Sequence, residues 1–230
     1  GQLTDRSLTG ALAAGVPGSV AGLYEAHRKF GTRPWAELVQ PAINFAERGF
    51  VVDTAFTEDS DDATARLAKD SASAALFLVN GRYAAVGTTW RAPQLAAVLR
   101  RIAERGRDGF YKGETARLIA AAMEKHGGII TPSDLANYRP VWRTPIEFEY
   151  RKHRVVSMPP ASSGGLTLAL ILGVVGQRDI ASLGWRTAAS IHLLAEAERR
   201  AFARRNALLG DPAFGPSRPR RFCHRTPPRR

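Results

Sequence analysis

The fold class is decided by the stretch Pro145–Val175, which reads PIEFEYRKHRVVSMPPASSGGLTLALILGVV. In its first part Ile146, Phe148 and Tyr150 alternate with polar residues, and a second apolar run follows two basic residues. A period of two on either side of a short polar turn is typical of paired strands. The sequence therefore predicts a β-hairpin over residues 145–157.

The remainder of this stretch predicts a loop and then an apolar helix. The loop contains Pro159 and Pro160 and ends in the small residues up to Gly165, and the helix spans Leu166–Val175. This apolar run falls well short of the roughly 20 residues that span a bilayer, so no membrane segment is expected. A hairpin combined with helices indicates a chain of α+β class.

Helical periodicity recurs elsewhere in the sequence. Helices are predicted at Val20–Phe30, Trp35–Gln40, Ala42–Arg48, Ala63–Ala68, Ala92–Arg105, Thr115–His126 and Thr187–Leu208. Pro41 separates the second from the third, because a proline in a helix interior removes one hydrogen bond. Gly31 is predicted to end the first in a left-handed cap. Thr131, followed by Pro132 and Asp134, predicts a further helix start.

Length and composition predict a globular part over residues 1–214, either as one domain or as one large part of a two-part domain. The chain has 230 residues, of which 44% are hydrophobic, and this suffices for a core. The polar stretch Asp53–Asp70 is interpreted as a loop that leads into a short surface helix. Cys223 is the single cysteine, which excludes an internal disulfide and any zinc site built from paired cysteines. The first residues show no targeting pattern.

The last segment, residues 215–230, differs in character from the rest. It is rich in Arg and Pro and lacks periodicity, so a disordered tail is predicted, with a shifted reading frame as one origin. It supplies six of the net +12 charges. One hypothesis is a non-enzymatic product that binds nucleic acid or acidic surfaces through this tail. Proteins that bind single-stranded nucleic acid usually stack bases on several aromatic side chains, and this segment has only Phe222. The segment is therefore interpreted as a solvated tail with no nucleic-acid partner.

Motifs for common chemistries are absent from the sequence, including the G-x-S-x-G elbow, the phosphate loop, H-E-x-x-H and G-x-G-x-x-G. His192 and Glu196 are four apart on a predicted helix and have the spacing of two metal ligands. A third ligand is not in evidence, so a solvated or structural pair is favoured. The other histidines lack a paired acid or nucleophile and are interpreted as surface or core-edge residues.

Two serines and two glycines precede the apolar helix and leave two interpretations open. Ser162, Ser163, Gly164 and Gly165 at a helix start expose backbone N–H groups that can hold an anion or an oxyanion. Alternatively, a serine side chain caps the helix. Serine caps are common, so composition alone favours the cap.

A set of ordered landmarks resembles the large subunit of the γ-glutamyltransferases. They are Val16-Pro17-Gly18-Ser19-Val20-Ala21-Gly22, Gln40-Pro41-Ala42, Phe110-Tyr111-Lys112-Gly113, Gly127-Gly128, Asp134-Leu135, Tyr138, Pro159-Pro160-Ala161-Ser162-Ser163-Gly164-Gly165, Ala195-Glu196-Ala197-Glu198 and Leu209-Gly210-Asp211-Pro212. Each is weak alone, but their order and spacing together are specific. The resemblance covers about residues 3–214 and implies a partial large-subunit domain there.

The resemblance implies an N-terminal-nucleophile hydrolase with an αββα fold, made as a precursor that cleaves itself into two subunits. In such enzymes a threonine at the start of the small subunit attacks a γ-glutamyl amide, usually of glutathione, and passes the acyl group to water or an amino acid. No metal and no organic cofactor are implied. Bacterial members are commonly exported, which implies a periplasmic or extracellular location.

The residues that the resemblance would place at the active site are not in this sequence. The Thr-Thr-His cleavage point, the paired serines of the oxyanion hole and the carboxylate-binding arginine lie outside it, so no catalytic, substrate-binding or metal residue is assigned. Arg204 stands where these enzymes typically carry an acid, and it forms a positive cluster with Arg199, Arg200 and Arg205. A truncated or frameshifted fragment, inactive alone and with open sheet edges, is therefore expected.

Overall fold

The computed structural model describes residues 5–57 and 60–214, with the backbone alone for residues 60–62. Contacts divide the chain into two units, Gly1–Val141 and Trp142–Arg230. The predicted partial domain over residues 1–214 thus contains two contact units, and the predicted tail lies outside the described residues. The described residues form helices and a few short strands, so the α+β class is confirmed.

The first unit is mainly helical. Its helices are α1 (Ser19–Phe30), α2 (Trp35–Arg48), α3 (Thr54–Thr57), α4 (Ser60–Leu67), α5 (Ser71–Phe77), α6 (Pro93–Arg105), α7 (Asp108–Tyr111), α8 (Gly113–Lys125) and α9 (Pro132–Asn137). Its strands are β1 (Phe50–Val51), β2 (Leu78–Val79), β3 (Arg82–Tyr83) and β4 (Thr89–Trp90). β1 pairs with β4 and β2 with β3, both antiparallel. Short 3₁₀ turns at Asp5–Ser7 and Ala11–Ala13 precede α1.

Helix α2 corrects the prediction of two helical pieces, because it runs unbroken through Pro41. Pro41 is exposed, whereas Val39 and Ile43 on either side of it are buried. The side chain of Trp35, at the start of α2, donates a hydrogen bond from Nε1 to the Ile102 carbonyl of α6 at 2.8 Å. Packing against α6 therefore offsets the one hydrogen bond that the proline removes.

The end of α1 is also different from the prediction. Gly31 follows the helix as expected but is extended, with φ of −69°, and its N–H donates to the His27 carbonyl at 2.6 Å. The predicted left-handed cap is therefore wrong. Glycine is needed here for another reason, because a Cβ on Gly31 would overlap the His27 ring.

The region after Asp53 is more structured than predicted. The predicted loop is wrong, since Asp53 Oδ1 accepts the Phe56 N–H at 2.9 Å and supports the first turn of α3. The short surface helix predicted nearby corresponds to α4. Helix α5 was missed, although Asp70 caps it by accepting the Ser73 N–H at 2.7 Å. Helices α6, α8 and α9 confirm their predictions, and Thr131 and Asp134 form the expected capping box.

The second unit contains the predicted hairpin and two long helices. Strands β5 (Ile146–Tyr150) and β6 (His153–Ser157) pair antiparallel over their full length, from Ile146 opposite Ser157 to Tyr150 opposite His153. Arg151 and Lys152 form the turn with φ of 46° and 68°. Helix α10 (Gly164–Val175) packs on the hairpin and on α11 (Ala188–Leu208), which confirms both helix predictions.

The apolar helix α10 is incompletely covered in the second unit. Its sequence is apolar on all sides, which is typical of a helix enclosed by protein, yet Leu168 is 40% exposed. Val156 on the outer face of β6 is also exposed, and the described residues provide β5 and β6 with no further strand partner. No described helix is both long and apolar enough to cross a membrane.

Candidate functional site

Two of the sequence landmarks meet at Tyr111, a fully buried side chain in the first unit. Its hydroxyl donates to the Pro17 carbonyl at 2.5 Å and accepts the Ala21 N–H at 3.2 Å. These bonds join the Val16–Gly22 segment, which enters α1, to α7. Burial raises the pKa of the Tyr111 hydroxyl above its usual value, so it remains a neutral hydrogen-bonding group.

Arg107 and Tyr138 complete this cluster on the other side of Tyr111. The Tyr138 ring stacks on Tyr111 with centroids 5.7 Å apart, and the Arg107 guanidinium lies 4.9 Å from the Tyr111 ring centre. Arg107 Nη2 also donates to the carbonyls of Ala136 and Tyr138, at 2.9 and 2.7 Å. Arg107 was not predicted from the sequence, where its place just before the Phe110–Gly113 landmark was the available signal.

Gly18 explains why the first landmark contains a glycine. A Cβ at this position would overlap the Tyr138 hydroxyl. Three landmarks that are far apart in sequence are therefore held together. The contacts are the hydrogen bonds of the Tyr111 hydroxyl, the stack of Tyr111 on Tyr138, and the close approach of Gly18 to Tyr138. The arrangement fixes the backbone and presents no reactive group.

The start of α10 shows that the predicted serine cap is wrong. Ser163 occupies the position before the helix, but its φ and ψ of −86° and −19° are helical and its side chain makes no capping hydrogen bond. A serine cap requires an extended backbone at this position, which turns the hydroxyl toward the first N–H groups. The alternative, an anion held by this helix start, stays a prediction.

A buried hydroxyl lies in the first turn of α10. Thr167 is 8% exposed, and its Oγ1 has no hydrogen-bond partner among the described residues. Its backbone N–H donates to the Ser163 carbonyl at 2.9 Å, so the turn itself is regular. Burying a hydroxyl without a hydrogen-bond partner is unfavourable.

Substituting Gly165 tests the close approach between α10 and the hairpin. A Cβ at Gly165 would overlap the Met158 carbonyl, whereas Gly173 in the same helix has open space at that position. Gly165→Ala is expected to lower the free energy of unfolding by about 1–3 kcal/mol, and Gly173→Ala to raise it by about 0.5–1 kcal/mol. Urea unfolding of the 230-residue chain measures both, and equal effects would contradict the packing.

The pair His192 and Glu196 lies on α11 as predicted, but Glu196 is engaged elsewhere. Both its oxygens accept hydrogen bonds from Arg199, at 2.9 and 2.8 Å, and Arg200 lies 3.7 Å away. The hydrogen bond from Arg199 is the main reason that the pKa of Glu196 falls from 4.5 to about 2. The described residues contain no group of three or more His, Cys, Asp or Glu side chains placed to hold a metal ion.

The remaining histidines occupy separate structural positions. His27 donates from Nε2 to the Arg33 carbonyl at 2.7 Å, His126 follows the last turn of α8, and His153 begins β6. The hydroxyl–carboxylate contact between Thr131 and Asp134, at 2.6 Å, belongs to a helix cap. These contacts are structural, and His224 lies outside the described residues.

Comparison with known proteins identifies the family. The family model described as Gamma-glutamyltranspeptidase matches residues 2–225, which runs past Phe214. The chain is 43% identical over 219 residues to the "Glutathione hydrolase proenzyme" of Pseudomonas aeruginosa, covering 90% of this chain and 37% of that protein. It is 41% identical to the "Acylase ACY 1 proenzyme" of Pseudomonas sp. strain SE83, covering 91% of this chain and 38% of that protein.

The solved structures agree with the sequence comparison. The γ-glutamyltranspeptidase of Helicobacter pylori superposes with a TM-score of 0.92 at 38% identity, over 96% of this chain and 63% of that chain. The fold of the two units and the order of the landmarks place the chain with these proteins. The chain belongs to the gamma-glutamyltranspeptidase family, and it spans little more than a third of the length of the curated relatives that it matches.

Proposed function

We propose that this chain forms part of the large subunit of an enzyme that cleaves γ-glutamyl amides and transfers the γ-glutamyl group to water or an amino acid. The observation that carries the proposal is the match over nearly the whole chain, in sequence and in fold. Glutathione is the proposed donor, since the Pseudomonas aeruginosa relative is named a glutathione hydrolase. No metal or organic cofactor is required by this chemistry.

The proposed reaction uses a threonine at the start of the small subunit. Its hydroxyl oxygen adds to the γ-carbonyl carbon while its own α-amine accepts the hydroxyl proton. The amine then gives that proton to the departing nitrogen, and an ester between threonine and the γ-glutamyl group remains. Water or the amine of an amino acid attacks this ester and restores the threonine hydroxyl. We assign no catalytic or substrate-binding residue to the chain described here.

The proposed partner of this chain is the small subunit from the same precursor, as the word proenzyme in the relatives' names suggests. The exposed faces of α10 and β6 support this, because apolar surface and unpaired strand edges are normally covered. We propose that the added strands complete the αββα arrangement. The proposed periplasmic or extracellular location rests on the family resemblance alone.

A second substrate class is favoured by one comparison. The relative from strain SE83 is named an acylase and is 41% identical, close to the identity of the glutathione hydrolase. We propose that both classes would use the same threonine, so that the two candidates differ in the acyl group that is bound and not in the chemistry.

A hydrolysis assay on γ-glutamyl-4-nitroanilide tests the proposal. The 230-residue chain alone is expected to release no nitroaniline above the buffer rate, because no nucleophile is assigned to it. Co-expression with the small subunit and the missing large-subunit part of the Pseudomonas aeruginosa relative is expected to restore release, and changing the small subunit's first threonine to alanine is expected to abolish it. Activity from the chain alone would overturn the assignment.

A further inference from the structure

The turn between β2 and β3 in the first unit has the sequence Asn-Gly, and both of its residues are exposed. Asn80 has φ of 53° and Gly81 has φ of 76°, which is the left-handed backbone of a type I′ hairpin turn. A Cβ on Gly81 would meet nothing within 4 Å, so the space around this residue is open. Because glycine carries no side chain, its backbone nitrogen is the least hindered neighbour that an asparagine side chain can have.

The reacting groups of this turn are also free of hydrogen bonds. Within residues 5–57 and 60–214, nothing accepts a hydrogen bond from the Gly81 N–H, and nothing bonds to the Asn80 carboxamide. The other three asparagines of the chain lie on helices, and each carboxamide has a partner. These asparagines are Asn44, Asn137 and Asn206, bonded to Gln40, Ser133 and Arg205 respectively.

The hairpin that holds this turn is short. Only two residue pairs join its strands, Leu78 with Tyr83 and Val79 with Arg82. A two-stranded hairpin is marginally stable by itself, so the turn can open at a small cost in free energy. Once it opens, the backbone of Asn80 can rotate until the nitrogen of the next residue faces its carboxamide carbon.

We propose that Asn80 is a modification site, at which the chain deamidates spontaneously with water as the only net reactant. The Gly81 nitrogen gives its proton to hydroxide, attacks Cγ of Asn80 and closes a five-membered succinimide ring. The bond from Cγ to Nδ2 breaks, and Nδ2 takes a proton from water and leaves as ammonia. Water then opens the ring, at the backbone carbonyl to give isoaspartate or at Cγ to give aspartate. This modification is independent of the proposed γ-glutamyl chemistry.

Formation of isoaspartate would alter the contacts of β3. It places one additional CH₂ group in the main chain of the turn, which a two-residue type I′ turn does not accommodate. Tyr83 in β3 contacts Phe56 with ring centroids 6.1 Å apart, and Phe56 contacts Trp90 at 5.6 Å. Loss of the pairing between β2 and β3 is therefore expected to loosen the packing of Tyr83 on these rings.

Peptide mapping tests the proposal after incubation of the 230-residue chain at mildly alkaline pH. The tryptic peptide Asp70–Arg82 contains Asn80, and its mass is expected to rise by the difference between water and ammonia. Asn80 is expected to react at least about tenfold faster than each helical asparagine, since a turn opens at lower cost than a helix. Methyl transfer by a protein isoaspartate methyltransferase identifies isoaspartate in the peptide. Equal rates at all four asparagines, or an unchanged Asp70–Arg82 peptide, would overturn the proposal.

Glycine variants locate the attacking nitrogen. Gly81→Ala is expected to slow the reaction at Asn80 at least about tenfold, because the new methyl group hinders the attack. Gly87→Ala is the matched control, since Gly87 also has positive φ and open space at Cβ, and the rate at Asn80 is expected to be unchanged. Circular dichroism checks the fold of both variants. If Gly81→Ala does not fold, the comparison of the four asparagines in the unaltered chain decides. Equal rates in the folded Gly81→Ala variant and the unaltered chain would overturn the assignment.

The variant Asn80→Asp separates the new charge from the lengthened main chain. It introduces the carboxylate without the additional CH₂ group, and aspartate tolerates a left-handed backbone. Near-UV circular dichroism, which reports the packing of aromatic side chains, is expected to change in the isoaspartate form and to stay unchanged in Asn80→Asp. An unchanged spectrum in the isoaspartate form would overturn the proposed effect on Tyr83.

Discussion

Replacing Tyr111 with alanine is expected to lower the free energy of unfolding of the first unit by about 3–5 kcal/mol, the range for loss of a large buried aromatic side chain. Tyr111 is 0% exposed and lies in the core cluster with Ala21, Ala116, Ile130 and Leu135. The ring also stacks on Tyr138 and faces Arg107, so its loss leaves both groups without their contact. Urea unfolding, followed by circular dichroism, measures the change.

The variant Tyr111→Phe separates the hydroxyl from the ring. It keeps the packing but leaves the Ala21 N–H and the Pro17 carbonyl without their partner, at an expected cost of about 1–3 kcal/mol. Tyr83→Phe, at a half-buried tyrosine elsewhere in the unit, is the control, with an expected change within about 0.5 kcal/mol. If Tyr111→Phe were as stable as the unaltered chain, the hydroxyl would not join the two landmarks.

The elements that sequence predicted well are those whose local signals agree with their packing. The hairpin has a clear period of two, with Arg151 and Lys152 at the turn, and all of its predicted pairing residues lie in β5 and β6. Thr131 and Asp134 form a capping box within four residues of each other, so no distant contact is needed to recognise it. Both signals are local in sequence, and the structure contains both the hairpin and the capping box that they predict.

The errors occur where distant contacts override the local signal. Pro41 indicates a break, but contacts between α2 and α6, including the bond between Trp35 and Ile102 across 67 positions, keep the helix intact. The short elements between Ser71 and Trp90 are held by an aromatic cluster in which Trp90 stacks on Phe77 and contacts Phe50. None of these pairings has a sequence period, so propensity alone could not reveal them.

The candidate site also combines features that the sequence predicts with features that depend on distant contacts. The order of the landmarks was readable in sequence, and it identified the family that the comparisons confirm. Their meeting at Tyr111 was not readable, because it depends on a hydroxyl that reaches a carbonyl ninety-four positions away. The serine cap was wrong since the φ and ψ of Ser163 decide whether its side chain can cap, and composition does not report them.

Gly109→Ala is expected to lower the free energy of unfolding by about 3 kcal/mol, because the new Cβ would clash with backbone atoms of α6. A Cβ at Gly109 in α7 would overlap the Arg101 carbonyl and approach the Ile102 nitrogen, both backbone atoms of α6. A helix backbone cannot move aside as a flexible side chain can, so α6 and α7 must separate. Separation would also disturb the Gly109 carbonyl, which accepts the Thr115 hydroxyl at 2.9 Å.

Gly22→Ala is the matched control for this prediction. Gly22 lies in the middle of α1, and nothing stands within 4 Å of the position that a Cβ would occupy. Alanine there is expected to raise the free energy of unfolding by about 0.5–1 kcal/mol, since it favours the helix without a clash. Urea unfolding therefore gives opposite signs for the same chemical change at the two glycines. The same sign at both would mean that α7 does not lie against α6 as closely as described, and that the cluster around Tyr111 is positioned by other contacts.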